Sequence, residues 1–579
     1  MEAQYKLDFS QKEQKYLHVE LKLNLKNYKQ RELVLMMPVW SPGSYLIREY
    51  SRYLDSLKIV DSKTNKPIKF EKTQKNQWAI NLDSSDEIKV SYRLYCNEFS
   101  VRTNFIDDVH ALIVSPATFL IPLEKDLCKR FEVEVDLPKD WNKISTGLDK
   151  VEGYTNRFYS NNLDDFLDCP IEVGNYDTYE FEAFGKPHYV AMIGPKNYDE
   201  KKLISDMKLV VEETAKLIGE VPYEHYTFVT HLTSSGGGGL EHKNSCILNF
   251  SRWDFINPDK YKKAYLSLVS HEYFHLWNVK RIKPVELSNF DYNNENYTSL
   301  LWMCEGFTSY FDDLILRQAK IYDDAEFLST LANIFKNLLL VEGRFYQNLE
   351  ESSFDTWIKF YRRHENSSNQ HISYYVKGAI FALCLDLEIR KRTNSKKNLA
   401  HVMRMLWEDY KKDESTGFTK EIIISYTQKL VGEDLSELFD EFLTQTNEPD
   451  YNKFLSYAGL KLNIVNLGNP TFDIETKEEN GNIICSKIID KGSAYNSGLM
   501  FGDEIISINN YRVNSKNILS VMKNLSLGSS AKLLINRDER ILEKEIIVSG
   551  SKYDDFRVEK IQNPSSEQLE LQTIWFDNK

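Results

Sequence analysis

YKKAYLSLVSHEYFHLW, residues 261–277, has the apolar spacing of a helix and carries His271-Glu272-Tyr273-Phe274-His275 within it. A helix advances 100° per residue, so His271 and His275 stand one turn apart on one face and can direct two imidazoles at a single Zn²⁺. Glu272 lies beside them without ligating, placed to take a proton from a metal-activated water and pass it to a leaving amine. Asn257-Pro258-Asp259 supplies a start for the helix: a cap residue, a proline at the first position and an acid in the first turn. A second helical stretch, SLLWMCEGFTSYFDDLILRQA (299–319), is apolar except where Glu305 interrupts it. A carboxylate in such surroundings needs a partner, and a third ligand from a neighbouring helix would give a His₂Glu site with one position left open, the catalytic arrangement. A buried salt bridge or a solvated helix face is the plainer use of Glu305. Asp312, seven residues further on the same face, can orient a ligating imidazole, or equally serve as a solvated or capping residue.

Outward from these helices the pattern changes twice. From Met1 to about Asp177, short alternating segments such as HVELKLNL (18–25) and EIKVSYRLY (87–95) are separated by Asn, Asp, Gly and Pro clusters and predict an antiparallel β-domain. Helical periods begin near residue 199 and dominate from about 259 to 450. From residue 452 alternation returns in FDIETKEENGNIICSKI (472–488) and AKLLINRDERILEKEIIVSG (531–550). The expected architecture is therefore multidomain α+β: a sandwich-like β-domain over 1–177, a mostly helical catalytic domain over 178–451, a compact β unit over 452–552, and a tail over 553–579 with no core pattern of its own. A length of 579 residues accommodates three or four domains at about 150 residues each.

Composition excludes several classes. The hydrophobic share is 42%, that of an ordinary globular chain, and 73 basic against 86 acidic residues leave a net charge of -13, which argues against a nucleic-acid partner. No window offers about 18 uncharged apolar residues for a membrane span. The N-terminus lacks a basic and apolar leader pattern, and seven scattered cysteines include no C-x-x-C pair. The cytoplasm is the expected compartment, or the periplasm if a leader has been removed.

HEYFH followed by CEGFTSY resembles the gluzincin metallopeptidases, in which an E-G-F segment supplies the third ligand. The 30-residue interval from His275 to Glu305 is longer than in common M1 aminopeptidases and is similar to that of the M61 glycyl aminopeptidase family. Three further segments resemble that family: PVWSPGSY (38–45), GGGGLEH (236–242) and SYYVKG (373–378). The resemblance implies a thermolysin-like catalytic domain, one zinc ion per chain held by His271, His275 and Glu305, and removal of small N-terminal residues such as Gly or Ala from peptide substrates. It implies that Glu241 binds the substrate α-amine, matching the aminopeptidase G-x-M-E-N segment in position and glutamate only, and that Tyr375 donates to the tetrahedral oxyanion. Adjacent Tyr374 is the alternative donor. Physically, Gly237, Gly238 and Gly239 would let the backbone approach an extended substrate and pair with it as an added strand, although four glycines also suit a plain turn. His242 and His364 read as structural histidines.

The KGSAYNSGL and GDEIISIN stretches (491–499 and 502–509) resemble a bacterial-type PDZ domain, which implies a peptide or protein ligand bound by β-augmentation; a purely structural β unit is the alternative. Gly459-Leu460 is a weak candidate for its carboxylate-binding loop. Two other functions stay open on the sequence: a zinc endopeptidase in which Glu241 lines a subsite, and a PDZ peptide-binding adaptor with a vestigial metal site. Retention of Glu272 argues against the last. Oligomeric state is not legible.

Overall fold

The computed structural model describes residues 1–82 and 85–577 and divides into two compact units. The first comprises Met1–Thr298, Phe311–Tyr322 and Met403–Thr419; the second comprises Ser299–Tyr310, Asp323–Val402 and Lys420–Lys579. The chain is α+β, with a β-rich N-terminal region, a helical middle and a C-terminal β region. Among the described residues no helix is long and apolar enough to cross a membrane.

In the first unit, residues 1–176 form sheets of seven, five and four strands. Strand Glu2–Gln11 shows how sequence dictates this: Ala3, Tyr5, Leu7 and Phe9 are buried while their neighbours face outward. It pairs antiparallel with Tyr16–Asn24 and parallel with Arg130–Asp136. Burial of side chains such as Leu7 and Phe9 contributes about 1.5–3 kcal/mol each, which makes the alternation decisive.

The same unit continues into a five-stranded sheet in the order Asp177–Ala183, Lys186–Ile193, Tyr226–Thr233, Ser245–Ser251, Gly237–Glu241. The three middle strands are parallel neighbours, and Gly237–Glu241 runs antiparallel along one edge. The helix Glu200–Ile218 links two of the parallel strands; Asp199 caps its start and Gly219, at φ +107°, ends it.

Asn257 accepts from the backbone N–H groups of Asp259 and Lys260, as the cap residue expected from the sequence. One wide π-turn, Tyr261–Leu266, then leads into the helix Ser267–Phe274. That helix stops sooner than the apolar pattern through residue 277 suggests. His275 is its C-cap, and the chain turns because the buried Arg281 guanidinium takes the Leu276 carbonyl at 2.8 Å.

In the second unit, helices Asp324–Leu339, Tyr374–Arg392, Lys420–Val431, Ser436–Leu443 and Tyr451–Ser456 precede the C-terminal β region. There a six-stranded sheet with helices Ser493–Ser497 and Ile518–Lys523 encloses its own core, including Phe472, Ile483, Ile505, Leu533 and Ile535. Gly459 follows Tyr451–Ser456 at φ +64° and leads into Leu460–Val465, which pairs with Asp555–Lys560. It therefore ends a helix and starts a two-stranded ribbon, separate from the six-stranded sheet. Residues beyond 553, without a core pattern in the sequence, are packed: Asp555–Lys560 is a strand, and helix Ser566–Asp577 buries Trp575 and Phe576. The indole of Trp575 donates to Tyr310 Oη at 3.0 Å.

Candidate active site

His271 and His275 project from one turn of the helix end, and their Nε2 atoms lie 3.0 Å apart. His271 Nδ1 faces Asp312 Oδ2 at 2.9 Å, and His275 Nδ1 faces the carbonyl of Asn278 at 2.6 Å. With each outer nitrogen donating its N–H to a facing oxygen, a lone pair is left on each of the two neighbouring Nε2 atoms. Such a pair at contact distance fits a shared cation and would repel without one. Asp312 thus takes the orienting role over the solvated one. Burial raises its pKa while His271 and His275 oppose the rise, and Asp313 beside it is raised by burial and then by Asp312.

Glu272, 5% exposed, points back to the edge strand. A Cβ added at Gly239 would stand 2.2 Å from Glu272 Oε1, so only glycine lets the strand pass beneath this carboxylate. Ligand-type atoms of Glu241, Glu272 and His275 all lie within 4.8 Å of one another. Glu241 is buried, and its Oε1 has no hydrogen-bond partner among the described residues. From the other side the turn of PVWSPGSY reaches it: a Cβ at Gly43, φ +91°, would stand 2.3 Å from Glu241 Oε1. Lys280 stands near: burial lowers its pKa, but Asp168, 2.5 Å from its Nζ, and then Glu241 raise it above its ordinary value.

The edge strand is open on one side. His242 N donates to Ser245 O at 2.9 Å, and alternation from that pair turns the N–H and C=O of Glu241, Gly239 and Gly237 outward, while Gly238, at φ +126°, faces inward. The glycines thus form a strand, with backbone groups presented for pairing, in place of the alternative plain turn.

Within the second unit, Glu305 is 1% exposed on a π-turn, Trp302–Phe307, packed against the helix Tyr374–Arg392. The glycines of CEGF and YVKG explain each other: a Cβ at Gly306 would lie 2.5 Å from Gly378 Cα. Tyr374 is fully buried, with its hydroxyl 2.9 Å from Thr356 Oγ1, whereas Tyr375 is half-buried and stacks on Phe360 at 5.4 Å. Burial and the Thr356 bond commit Tyr374 to the core, and Tyr375 is the less buried of the two. His242 Nδ1 lies 3.4 Å from Asp168 Oδ1, and His364 Nδ1 accepts from Asn366 N at 3.3 Å, both structural uses.

Sequence reasoning missed a second cluster of ligand-type side chains, His110, Glu172 and His231. Glu172 Oε1 accepts from His110 Nδ1 at 2.8 Å and Oε2 from His231 Nε2 at 3.0 Å. Burial opposes charge on Glu172, but the facing imidazoles win and hold its carboxyl below its ordinary value. The signal was a lone acid in the apolar strand IEVG (171–174). Arg102 was also missed; its Nη2 donates to the outward carbonyl of Gly239 at 3.2 Å.

Residues 4–175 match the family model of the peptidase M61 N-terminal domain, and residues 264–381 match that of the M61 glycyl aminopeptidase, together half of the chain. Among solved structures, the chain is similar to an aminopeptidase N family protein from Idiomarina loihiensis, with 27% identity over 98% of this chain and 99% of that one and a TM-score of 0.91. An M1 zinc metallopeptidase from Deinococcus radiodurans shares the fold at 10% identity, covering 78% of this chain and 95% of that one, with a TM-score of 0.50. No curated protein matches the sequence.

Proposed function

Because this chain belongs to the M61 glycyl aminopeptidase family and is a metallopeptidase, we propose that it is a zinc aminopeptidase that releases small N-terminal residues, glycine and alanine foremost, from peptides. The carrying observation is the buried Glu241 carboxylate within 4.8 Å of Glu272 and His275. An anion so near the base leaves room for one residue between a bound α-amine and the scissile bond, as an exopeptidase requires and an endopeptidase does not. The small-residue preference rests on the family.

His271, His275 and Glu305 would hold the ion. The facing Nε2 atoms support the first two. For Glu305 the support is spacing: it precedes Asp312 by seven residues in one helical run, and Asp312 orients His271. Bound zinc supplies Lewis acidity, polarising the scissile carbonyl and making water acidic enough to attack near neutral pH. Glu272 accepts the proton of the attacking water and returns it to the leaving amine. Tyr375 donates to the oxyanion, Glu241 anchors the amine, and Gly237, Gly238 and Gly239 form the edge that pairs with the peptide backbone. We read residues 452–552 as a PDZ domain that takes an extended peptide or protein segment; the short helix Ser493–Ser497 among its strands supports this.

The test is hydrolysis of Gly-, Ala- and Leu-p-nitroanilide and of N-acetyl-Ala-p-nitroanilide by wild type and Glu241→Gln. Only free-amine substrates should turn over, Gly and Ala ahead of Leu, and Glu241→Gln should lose about 10- to 100-fold in kcat/KM through the lost charge-assisted bond. Comparable cleavage of the acetylated substrate would overturn the aminopeptidase reading.

A further inference from the structure

Arg102 meets the open edge of the strand Gly237–Glu241 at the carbonyl of Gly239. Along the open edge, the outward residues in order are Glu241 and then Gly239, whose backbone passes beneath Glu272. An amine held at Glu241 and a scissile bond over Glu272 set the direction of the peptide, with its leaving-group side toward Gly239 and Gly237. The Arg102 guanidinium meets that side, with Nη2 3.2 Å from Gly239 O and Nε buried without a hydrogen-bond partner among the described residues.

The side chain springs from a rigid seat. Arg102 occupies the turn between strands Asn97–Ser100 and Thr103–Ile106; its N–H donates to Ser100 Oγ at 3.1 Å, and its carbonyl accepts from the buried Tyr50 hydroxyl at 3.0 Å. Tyr50 Oη also lies 2.8 Å from Ser41 Oγ, in the segment whose Gly43 abuts Glu241. One loop of the N-terminal domain thereby fixes both the acidic and the basic group.

Resting on the aminopeptidase reading above, we propose that Arg102 binds the C-terminal carboxylate of the substrate, making short peptides, dipeptides first, the preferred substrate class. Glu241 and Gly239 are two residues apart on the strand, about 6.8 Å, and an extended dipeptide spans about 7 Å. A guanidinium with unspent donors suits a carboxylate in a way that a neutral amide carbonyl, with one acceptor and no charge, does not match. Gly239 O has two lone pairs, so it can retain Arg102 while accepting the peptide N–H. Longer peptides would have to carry their chain past the guanidinium.

The experiment measures alanine release from Ala-Ala and from its C-terminal amide, with Ala-p-nitroanilide as a substrate that has an amine and no carboxylate. Wild type should prefer the acid over the amide by about 10- to 100-fold in kcat/KM, mostly through KM. Arg102→Gln should bring that ratio to within about twofold of one, and Arg102→Lys should restore part of it. Because each ratio is internal to one protein, general damage to the fold does not imitate the result, and the wild-type ratio stands alone if the variants do not fold. Hydrolysis of the p-nitroanilide with no discrimination between acid and amide, or discrimination that survives in Arg102→Gln, overturns this inference alone. Failure to hydrolyse any free-amine substrate overturns the aminopeptidase reading beneath it.

Discussion

At position 239 one methyl group decides whether the base and the edge strand coexist. Gly239→Ala would set a Cβ 2.2 Å from Glu272 Oε1, so the carboxylate or the strand must move. We expect kcat/KM on Ala-p-nitroanilide to fall on the order of 100-fold with the melting temperature nearly kept, since a shift of about 1 Å in a reacting group is enough. Retained activity in a folded variant would show that the strand does not abut the base. The Glu172 cluster makes a prediction in pH. Glu172 is held below its ordinary 4.5, so its contribution is present above pH 4.5 and fades as pH falls through the lowered value. For His110 burial lowers the pKa, but Glu172 prevails and raises it above 6.5, so its contribution is full below pH 6.5 and fades as pH rises through the raised value. The melting-temperature gap between wild type and Glu172→Gln should therefore be widest between pH 4.5 and 6.5, equivalent to about 3 kcal/mol, and narrower at pH 8. A gap that widens above pH 7 would contradict the assignment. Residues of this kind separate what a sequence shows from what it hides. His271, Glu272 and His275 announce themselves because local helical spacing carries their geometry. Arg102, Gly43 and Glu172 act through partners between 59 and 198 positions away, where no short-range pattern records the contact.

Among the elements, the edge strand Gly237–Glu241 and the π-turn Trp302–Phe307 carry Glu241 and Glu305 of the proposed site. The helix bearing His271 was legible from its apolar spacing and its Asn257 cap, but its end at Phe274 was not, because Arg281 and the Asn278 carbonyl impose that end from beyond the pattern. The π-turn carrying Glu305 was also illegible, since its packing depends on Gly306 meeting Gly378 across two helices. Gly378→Ala would place a Cβ 2.7 Å from the carbonyl oxygen of Trp302, an overpacking that should cost about 1–3 kcal/mol. Thermal unfolding should show a lower melting temperature, and displacement of the proposed ligand Glu305 should weaken zinc retention against a chelator. An unchanged melting temperature would mean that the two helices have slack.

For the molecule as a whole, the division into β-rich, helical and β regions was readable because hydrophobic period changes from two to 3.6 and back. The integration of the N-terminal region into the site was not: Gly43 and Arg102 reach the edge strand from residues 1–176 within one compact unit. The C-terminal residues escaped for the opposite reason. Helix Ser566–Asp577 buries Leu571, Trp575 and Phe576 through tertiary contacts with Phe327 and Tyr310, and its own periodicity is weak. Ending the chain at residue 565 should destabilise the second unit by roughly 5 kcal/mol, the burial of those three side chains, seen as a lowered melting temperature; a wild-type melting curve would refute the packing. One paired measurement tests the roles of zinc and Glu272 most directly: metal content and Ala-p-nitroanilide hydrolysis of wild type, Glu272→Gln and His275→Ala, purified side by side. The expected result is one zinc per chain in wild type and in Glu272→Gln, a loss of about 100- to 10,000-fold in kcat for Glu272→Gln, and loss of both zinc and activity in His275→Ala. Wild-type turnover by Glu272→Gln, or full activity in a zinc-free wild type, would contradict it.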